Sequence, residues 1–487
     1  MGFRRKMESP KNGRMMKLTR SILQEIEGID NLILPTKDQL LYPEKVLQFG
    51  TGVLLRGLPD HYISEANRAG RFCGRIVVVK STQQGTTDAF ADQDGLYTVC
   101  VKGIENGQLV DQAYVNASIS RVLSAKEDWV SILEFAKSED LSVVTSNTTE
   151  VGIVYVEENI LDGVPSSFPG KLLAILYARF NHYNGDFSKG LVIIPAELIE
   201  ENGSKLADIL NRLADHNQLG EAFIQWLNQA NPICNTLVDR IVPGKLSIAE
   251  QAATEAALGY TDALMIMAEP FGLWTIASTD QRVIDALGFC NEEKGSRVVP
   301  SIQKFKELKL RMLNASHTFS CGVSLLAGME FVKDSMQHEA LKSYISQLAL
   351  EEIAGAITGD NISTAEANGF GNAVLDRFAN PFLEHKWISI AAQFTLKMNI
   401  RCLPLIIATY EKTGQLPLKM LIGFSAYLVQ MDLVKSHDLA TSLVNILSDA
   451  ATWGQDLTSI PGFLEKVLDI TASIQSKGIL QTIHQLT

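Results

Sequence analysis

The 487-residue sequence predicts an α/β domain built on a doubly wound, mostly parallel sheet, followed by a mainly helical domain. Three observations carry that expectation. Short, nearly continuous apolar runs alternate with helical segments up to about residue 200. A glycine turn joins the first of those runs to a helix. From Ile248 onward helical periodicity dominates, with one short exception around Leu273-Trp-Thr-Ile276.

The elements follow in order. Residues 45–50 read as a short strand, 53–69 as a helix with Pro59 near its first turns, and 74–80 as a β-branched strand covered on both faces. Together they make one β-α-β crossover unit. A further strand is expected at 97–102, a helix at 125–138, and a buried strand at 141–145 ending in the polar turn 146–150. A helix over 169–183 and a strand over 190–195 complete the pattern. Helices are then predicted over 301–330, 335–356, 383–397, 403–413, 417–433, 437–452 and 460–484. The domain reading is a partly disordered leader (1–40), a dinucleotide-binding domain (41–290) and a helical substrate and catalytic domain (291–487). The tail 403–487 is read as a cover for the site, a subunit contact or ordinary core.

Composition narrows the function classes. A net charge of −12 argues against nucleic acid, which needs clustered Lys and Arg, but leaves room for a locally basic pocket. The six cysteines are scattered, with no CxxC pair, so neither a disulfide framework nor a Cys-based metal site is expected. The eight histidines show no HxxxH pair, and no metal is predicted. No run reaches the ~18 apolar residues of a membrane helix. The basic start (Arg4, Arg5, Lys6, Lys11, Arg14, Lys17) lacks the apolar core of a secretory signal, so the expected location is the cytoplasm. The expected assembly is a monomer or homodimer.

Two motifs carry chemistry. Gly50-Thr-Gly52 lies between a strand and a helix, the setting of a dinucleotide fingerprint. The first glycine permits the turn, and the second lets main chain approach a pyrophosphate. The usual third glycine falls at Leu55, and Gly57 comes two residues late. Arg56 is read either as a phosphate contact or as a solvated cation. Lys80 closes the second strand, where an acidic residue normally holds a ribose hydroxyl. NAD(H) and NADP(H) therefore both stay open. The second motif is Lys309-Leu-Arg-Met-Leu-Asn314-Ala-Ser-His317. At α-helical spacing its amine, amide and imidazole fall within a ~140° arc, a set suited to proton transfer at a hydroxyl or carbonyl.

Read with the glycine turn, this run resembles the mannitol dehydrogenase family of long-chain polyol-type dehydrogenases. The resemblance runs from about Val46 to Arg401. It includes Gln48-Phe-Gly-Thr-Gly-Val-Leu-Leu-Arg56, Gln93-Asp-Gly-Leu-Tyr97, Ser146-Asn-Thr-Thr-Glu150, Ile193-Ile-Pro-Ala-Glu-Leu-Ile199, Cys234-Asn-Thr-Leu-Val-Asp-Arg-Ile241, Ala268-Glu-Pro-Phe271 and Arg377-Phe-Ala-Asn-Pro381. It implies a Rossmann-type domain followed by a helical one, and metal-independent hydride transfer between nicotinamide and a sugar carbonyl or its alcohol. It places the catalytic lysine on Lys309, with Asn314 and His317 as helpers. The expected cofactor contacts are Phe49, Gly50, Gly52, Arg56, Lys80, Asn147 and Thr148. A second oxyanion donor, an asparagine in the family, falls near Leu198 or Asn202, and Asn202 is taken. Asp239 and Glu269 sit in segments like the family's site-lining loops. Arg377, with His385, is the expected clamp for a substrate carboxylate. Asn147 to Glu150 and Cys234 to Leu237 lean toward the tagaturonate-reducing branch. Fructuronate reduction and oxidation of a neutral polyol are the alternatives.

Overall fold

The structure, a computed structural model, describes residues 15–26, 28–81, 87–148, 152–434 and 438–486. Residues 1–14 of the expected leader, and Thr149 and Glu150 of the polar turn, lie outside the described residues. The chain forms two compact units. One comprises Met1–Lys102 with Val110–Ile302; the other comprises Gly103–Leu109 with Gln303–Thr487. The division falls at 302/303 rather than at 290.

Five parallel strands form the central sheet of the first unit: β1 Glu44–Phe49, β2 Arg75–Lys80, β3 Ile119–Ser124, β4 Val143–Ser146 and β5 Val192–Pro195. Their order is β3-β2-β1-β4-β5. Alternate residues feed two cores on opposite faces, as the period of two requires. Leu47, Phe49, Val77, Val79 and Val144 join one, with helices Phe168–His182, Asn202–His216 and Glu221–Ala230. Val46, Ile76, Val78, Val143 and Ile194 join the other, with helix Pro59–Arg68. Burial on both faces explains the continuous β-branched centres of β2 and β5.

The structure corrects several expectations. The strand at Tyr97–Glu105 is not in this sheet. It pairs with Gln108–Asn116 in a separate four-stranded sheet, turning at Asn106 and Gly107, both at positive φ. Asn-Gly is a hairpin signal in its own right. The central sheet instead takes β3, where no strand is expected, and the helix predicted over 125–138 shrinks to Trp129–Phe135. The predicted helix 53–69 is two helices, Val53–Gly57 and Pro59–Arg68. The break falls at Leu58 (φ −127°, ψ −76°), because proline lacks the N–H and disfavours helix in the residue before it.

Residues 16–26 and 28–40, expected as leader, pack as part of the first unit. Met16–Lys17 pairs with Tyr260–Thr261, and Leu32–Ile33 with Ala113 and Tyr114. Leu18, Ile22, Leu23, Ile26 and Ile29 are buried against Cys100, Val115, Tyr260 and Met265.

Among the described residues of the second unit, three helices contain π turns: Lys309–Ala315, Leu348–Ile353 and Met398–Cys402. Helix Ser316–Leu326 packs closely on Leu418–Gln430. A Cβ on Gly322 would meet Tyr427 N at 2.8 Å, and one on Gly423 would meet Phe319 O at 2.8 Å. Met420, Leu421, Ile422, Phe424, Tyr427 and Leu428 are buried, so this stretch of the tail is core. Helix Thr364–Phe378, absent from the predicted set, opens with the capping box Ser363/Glu366.

Candidate active site

The first cluster of candidate residues lies at the carboxyl ends of β1, β2 and β4. Strand order reverses between β1 and β4, and open α/β sheets bind ligands at such a switch point. Phe49 is buried against Phe168, with ring centroids 4.9 Å apart. Gly50 has φ +120°, and a Cβ there would lie 2.9 Å from Leu55 Cδ1 and 3.2 Å from Asn147 O. Only glycine fits that turn. Gly52 precedes helix Val53–Gly57, and a Cβ there would meet nothing within 4 Å, so its main chain is open to an approaching group. These features fit the pyrophosphate of a dinucleotide. The late glycine also has a function: a Cβ on Gly57 would strike Val242 Cγ2 at 2.7 Å. Gly57 thus permits the close packing usually assigned to the third glycine, while Leu55 is buried over the turn.

The loop after β4 is tied to the loop after β5. Asn147 Nδ2 donates to Ala196 O at 2.6 Å. Glu197 is buried, and its carboxylate accepts from Thr148 N and Oγ1, both at 3.0 Å, and from Ser146 Oγ at 3.1 Å. Burial raises its pKa, against those hydrogen bonds. Sequence reasoning missed Glu197 as the anchor. Thr148 has both donors committed to it, which makes Thr148 a brace for the loop. Lys80 is buried at the end of β2, where its carbonyl accepts from Ala125 N at 3.0 Å.

Two expected site residues are turned to structural work. Arg56 is buried, with its guanidinium 5.3 Å from the Tyr97 ring centroid and 5.8 Å from that of Phe90, and Nη1 donates to Leu264 O at 2.5 Å. It is held in the interior, away from any phosphate at the turn. Asn202 is 1% exposed. Its Nδ2 donates to Pro195 O (3.0 Å), Glu197 O (3.1 Å) and Thr236 Oγ1 (3.1 Å), and its Oδ1 accepts from Gly203 N and Thr236 N, both at 2.9 Å. No donor remains for a substrate oxyanion. Leu198, the other alignment choice, is exposed and carries no donor. Asp239 ends strand Thr236–Asp239 and is half-buried. The neighbouring Glu269 accepts from Ile241 N at 2.6 Å through Oε1 and from Arg240 Nε and Nη2 through its main-chain oxygen.

The second cluster lies wholly in the helical unit. Lys309 opens the π turn Lys309–Ala315, and His317 follows in the α-helix Ser316–Leu326. A π turn has about 4.4 residues per turn, so Lys309 and Asn314 differ by roughly 50° rather than ~140°. Three α-helical steps then return His317 to within about 10° of Lys309. The unusual turn therefore narrows the arc that holds the amine, the amide and the imidazole. The turn is braced by Arg311, whose Nη1 donates to Ile400 O (3.1 Å) and Arg401 O (2.8 Å) in the π turn Met398–Cys402.

His317 stacks on Phe378 at 4.0 Å between centroids and meets His385 edge-on at 5.3 Å and Trp387 at 6.1 Å. Burial first, then the nearby His385, Arg377 and Arg401, hold its pKa well below the ordinary value. His385 is lowered by burial, Arg377 and Lys397. Both imidazoles are neutral at neutral pH. Arg377 is buried in the last turn of helix Thr364–Phe378. The fold therefore brings His317, His385 and Arg377 together. No group of three or more potential metal ligands occurs among the described residues, and no described helix is long and apolar enough to cross a membrane.

A doubly wound sheet with a glycine turn at its switch point, joined in one chain to a helical unit bearing a Lys/Asn/His face, defines a nicotinamide-dependent dehydrogenase. Two family models match: the mannitol dehydrogenase Rossmann domain over residues 44–285 and the mannitol dehydrogenase C-terminal domain over 301–468. The chain belongs to the mannitol dehydrogenase family. It is similar to the altronate oxidoreductase of Bacillus subtilis (34% identity, 91% of this chain and 95% of that protein). It is also similar to that of Halalkalibacterium halodurans (36%, 93% and 94%). Among solved structures it shares the fold of a substrate-free D-sorbitol dehydrogenase (TM-score 0.77, 18% identity, 96% of this chain and 100% of that one). It also shares the fold of Pseudomonas fluorescens mannitol 2-dehydrogenase, solved with NAD and D-mannitol (TM-score 0.63, 17%, 97% and 99%).

Proposed function

We propose that this dehydrogenase interconverts a keto-uronate and its sugar acid, tagaturonate and altronate, with NAD(H), and that Lys309 is its general acid/base. The observation that carries the reading is the narrowed Lys309/Asn314/His317 face, in the same unit as Arg377 and His385. The relatives named altronate oxidoreductase support the choice of substrate.

The nicotinamide supplies the hydride in reduction and accepts it in oxidation. The chain's residues handle the rest. The Lys309 ammonium gives its proton to the carbonyl oxygen as the carbon becomes tetrahedral, and the neutral amine removes the hydroxyl proton in the reverse direction. Asn314 Nδ2 donates to the developing alkoxide, a contribution of ~2–4 kcal/mol by the usual worth of one such donor. His317, held neutral, orients substrate hydroxyls through whichever nitrogen is unprotonated. Arg377 holds the substrate carboxylate, with His385 beside it. In the other unit Gly50 and Gly52 give the pyrophosphate access to main chain, and Asn147 and Thr148 fix the facing loop. Phe49 closes the floor of the turn. Lys80 stands where a carboxylate would select NAD, and a 2′-phosphate is the group it would meet in NADP. Asp239, in a segment like the family's site-lining loops, contacts substrate hydroxyls. A cytoplasmic enzyme that works as a monomer or homodimer completes the reading.

A spectrophotometric panel tests it. Tagaturonate, fructuronate and fructose are offered with NADH and with NADPH. The reading expects kcat/KM highest for tagaturonate with NADH. A preference for fructuronate or for the uncharged ketose refutes the substrate, and a preference for NADPH refutes the cofactor.

A further inference from the structure

The charged groups acting on His317 itself are all basic. His317 feels His385, Arg377 and Arg401; His385 feels Arg377 and Lys397; Lys397 feels Arg401. No carboxylate stands among the groups acting on His317, His385, Lys397 or Arg401. That is unusual in a chain with 55 acidic residues and a net charge of −12.

Arg401 is the telling member. It is half-buried, and burial lowers its pKa, with only the Cys402 thiol acting in the opposite direction. Guanidinium groups are seldom taken out of water without a counter-charge. Among the described residues its side chain makes no ion pair within 4.0 Å and no side-chain hydrogen bond. Lys397, one helical turn earlier, donates to Ile390 O at 3.0 Å and is not tied to a carboxylate either. The placement of Arg401 is enforced from outside its own side chain. Arg311 holds its main-chain oxygen, and Cys402 Sγ lies 3.8 Å from Ala315 O, next to Asn314. The two π turns are thus locked together, with Arg401 on one and Asn314 on the other.

We propose that Arg401 is a specificity-determining residue of this site, an anchor for the carboxylate of an anionic sugar acid, acting together with Arg377. The inference rests on the substrate class proposed above and adds a residue to it. Its counter-ion is the substrate. Because the π turn is held through main-chain oxygens, the side chain can change without loss of the turn.

The test is Arg401→Gln and Arg401→Lys, assayed against tagaturonate and against fructose as the uncharged ketose. For Arg401→Gln the expected result is a rise in KM for tagaturonate of roughly 10- to 100-fold, the usual worth of a charge-assisted hydrogen bond. Turnover on fructose stays within about twofold, melting temperature is unchanged, and Arg401→Lys recovers part of the loss. Equal fractional losses on both ketoses, or an unchanged KM for tagaturonate, overturn the assignment. If the unmodified enzyme shows no preference for the acid, the substrate reading fails and this inference fails with it. If it prefers the acid and Arg401→Gln keeps that preference, only the inference fails. A melting temperature that falls in Arg401→Gln and also in Arg401→Lys makes the residue structural and overturns it as well.

Discussion

Replacing Asn202 by leucine separates two roles for one residue. Family resemblance makes Asn202 a donor to the reacting oxygen; the structure makes it a clamp joining the loop after β5 to strand Thr236–Asp239. The amide is 1% exposed and makes five hydrogen bonds. Leucine has nearly the same shape and can make none of them. Glu197 O keeps its bond from Ile199 N, and Pro195 O keeps that from Thr236 Oγ1. Gly203 N and Thr236 N lose the acceptor they share. A buried N–H left without a partner costs about 1–3 kcal/mol, so the pair costs roughly 2–6 kcal/mol. Chemical denaturation of the first unit, followed by tryptophan fluorescence from Trp226 and Trp274, should show its midpoint fall accordingly. The kcat of the fraction still folded should stay within a few-fold of normal. Unchanged stability with a hundredfold drop in kcat would refute the clamp and return Asn202 to the reacting oxygen.

Three further outcomes are expected. Lys309→Ala should lower kcat by several orders of magnitude with no change in melting temperature; near-normal turnover in that variant removes its role as acid/base. Gly50→Ala forces a β-carbon into a φ of +120° beside Asn147 O, a strain of about 1–3 kcal/mol, and should weaken NADH binding in a fluorescence titration. Equal affinity would mean the turn does not face the cofactor. The third concerns Asp60, which is fully buried; burial raises its pKa to about 7, against hydrogen bonding from Tyr97 and the charge of Arg56. The folded state then holds a proton that the unfolded state has released, so stability falls as pH rises from about 4 to about 7. Asp60→Asn should flatten that part of the stability-versus-pH curve, and an unchanged slope would falsify the assignment.

Much of the fold is legible in the sequence because its causes are local. β2, β4, β5 and the Val46–Phe49 part of β1 are buried on both faces, which favours β-branched and apolar residues along their centres. β3 is not legible: Ile119–Ser124 lies at the sheet edge, breaks its apolar residues with Ser120, Arg121 and Ser124 in no period of two, and follows a hairpin that takes the expected strand. Residues 16–40 mislead because their basic flank hides a short apolar stripe, Leu18, Ile22, Ile26 and Ile29, whose partners lie far along the chain. The site shows the same division. Lys309, Asn314, His317 and Arg377 stand out by residue type and order. Asn202 and Arg56 mislead because burial, which nothing local encodes, commits their side chains to main-chain oxygens. Glu197 escapes notice for the converse reason, its value lying in two loops brought together only by the sheet. Nor does any side chain announce the π turn.

That turn has a consequence for how the gene can change. A π turn is an α-helix with one residue inserted. Removing a single codon between Lys309 and Asn314 would restore ordinary helix and leave Asn314 at ~40° and His317 at ~20° from Lys309, whereas adding one would swing everything before it by ~100° about the axis. The face therefore tolerates the loss of one residue here but not the gain of one. Homologues should carry either this spacing with a π turn or a spacing one residue shorter without it.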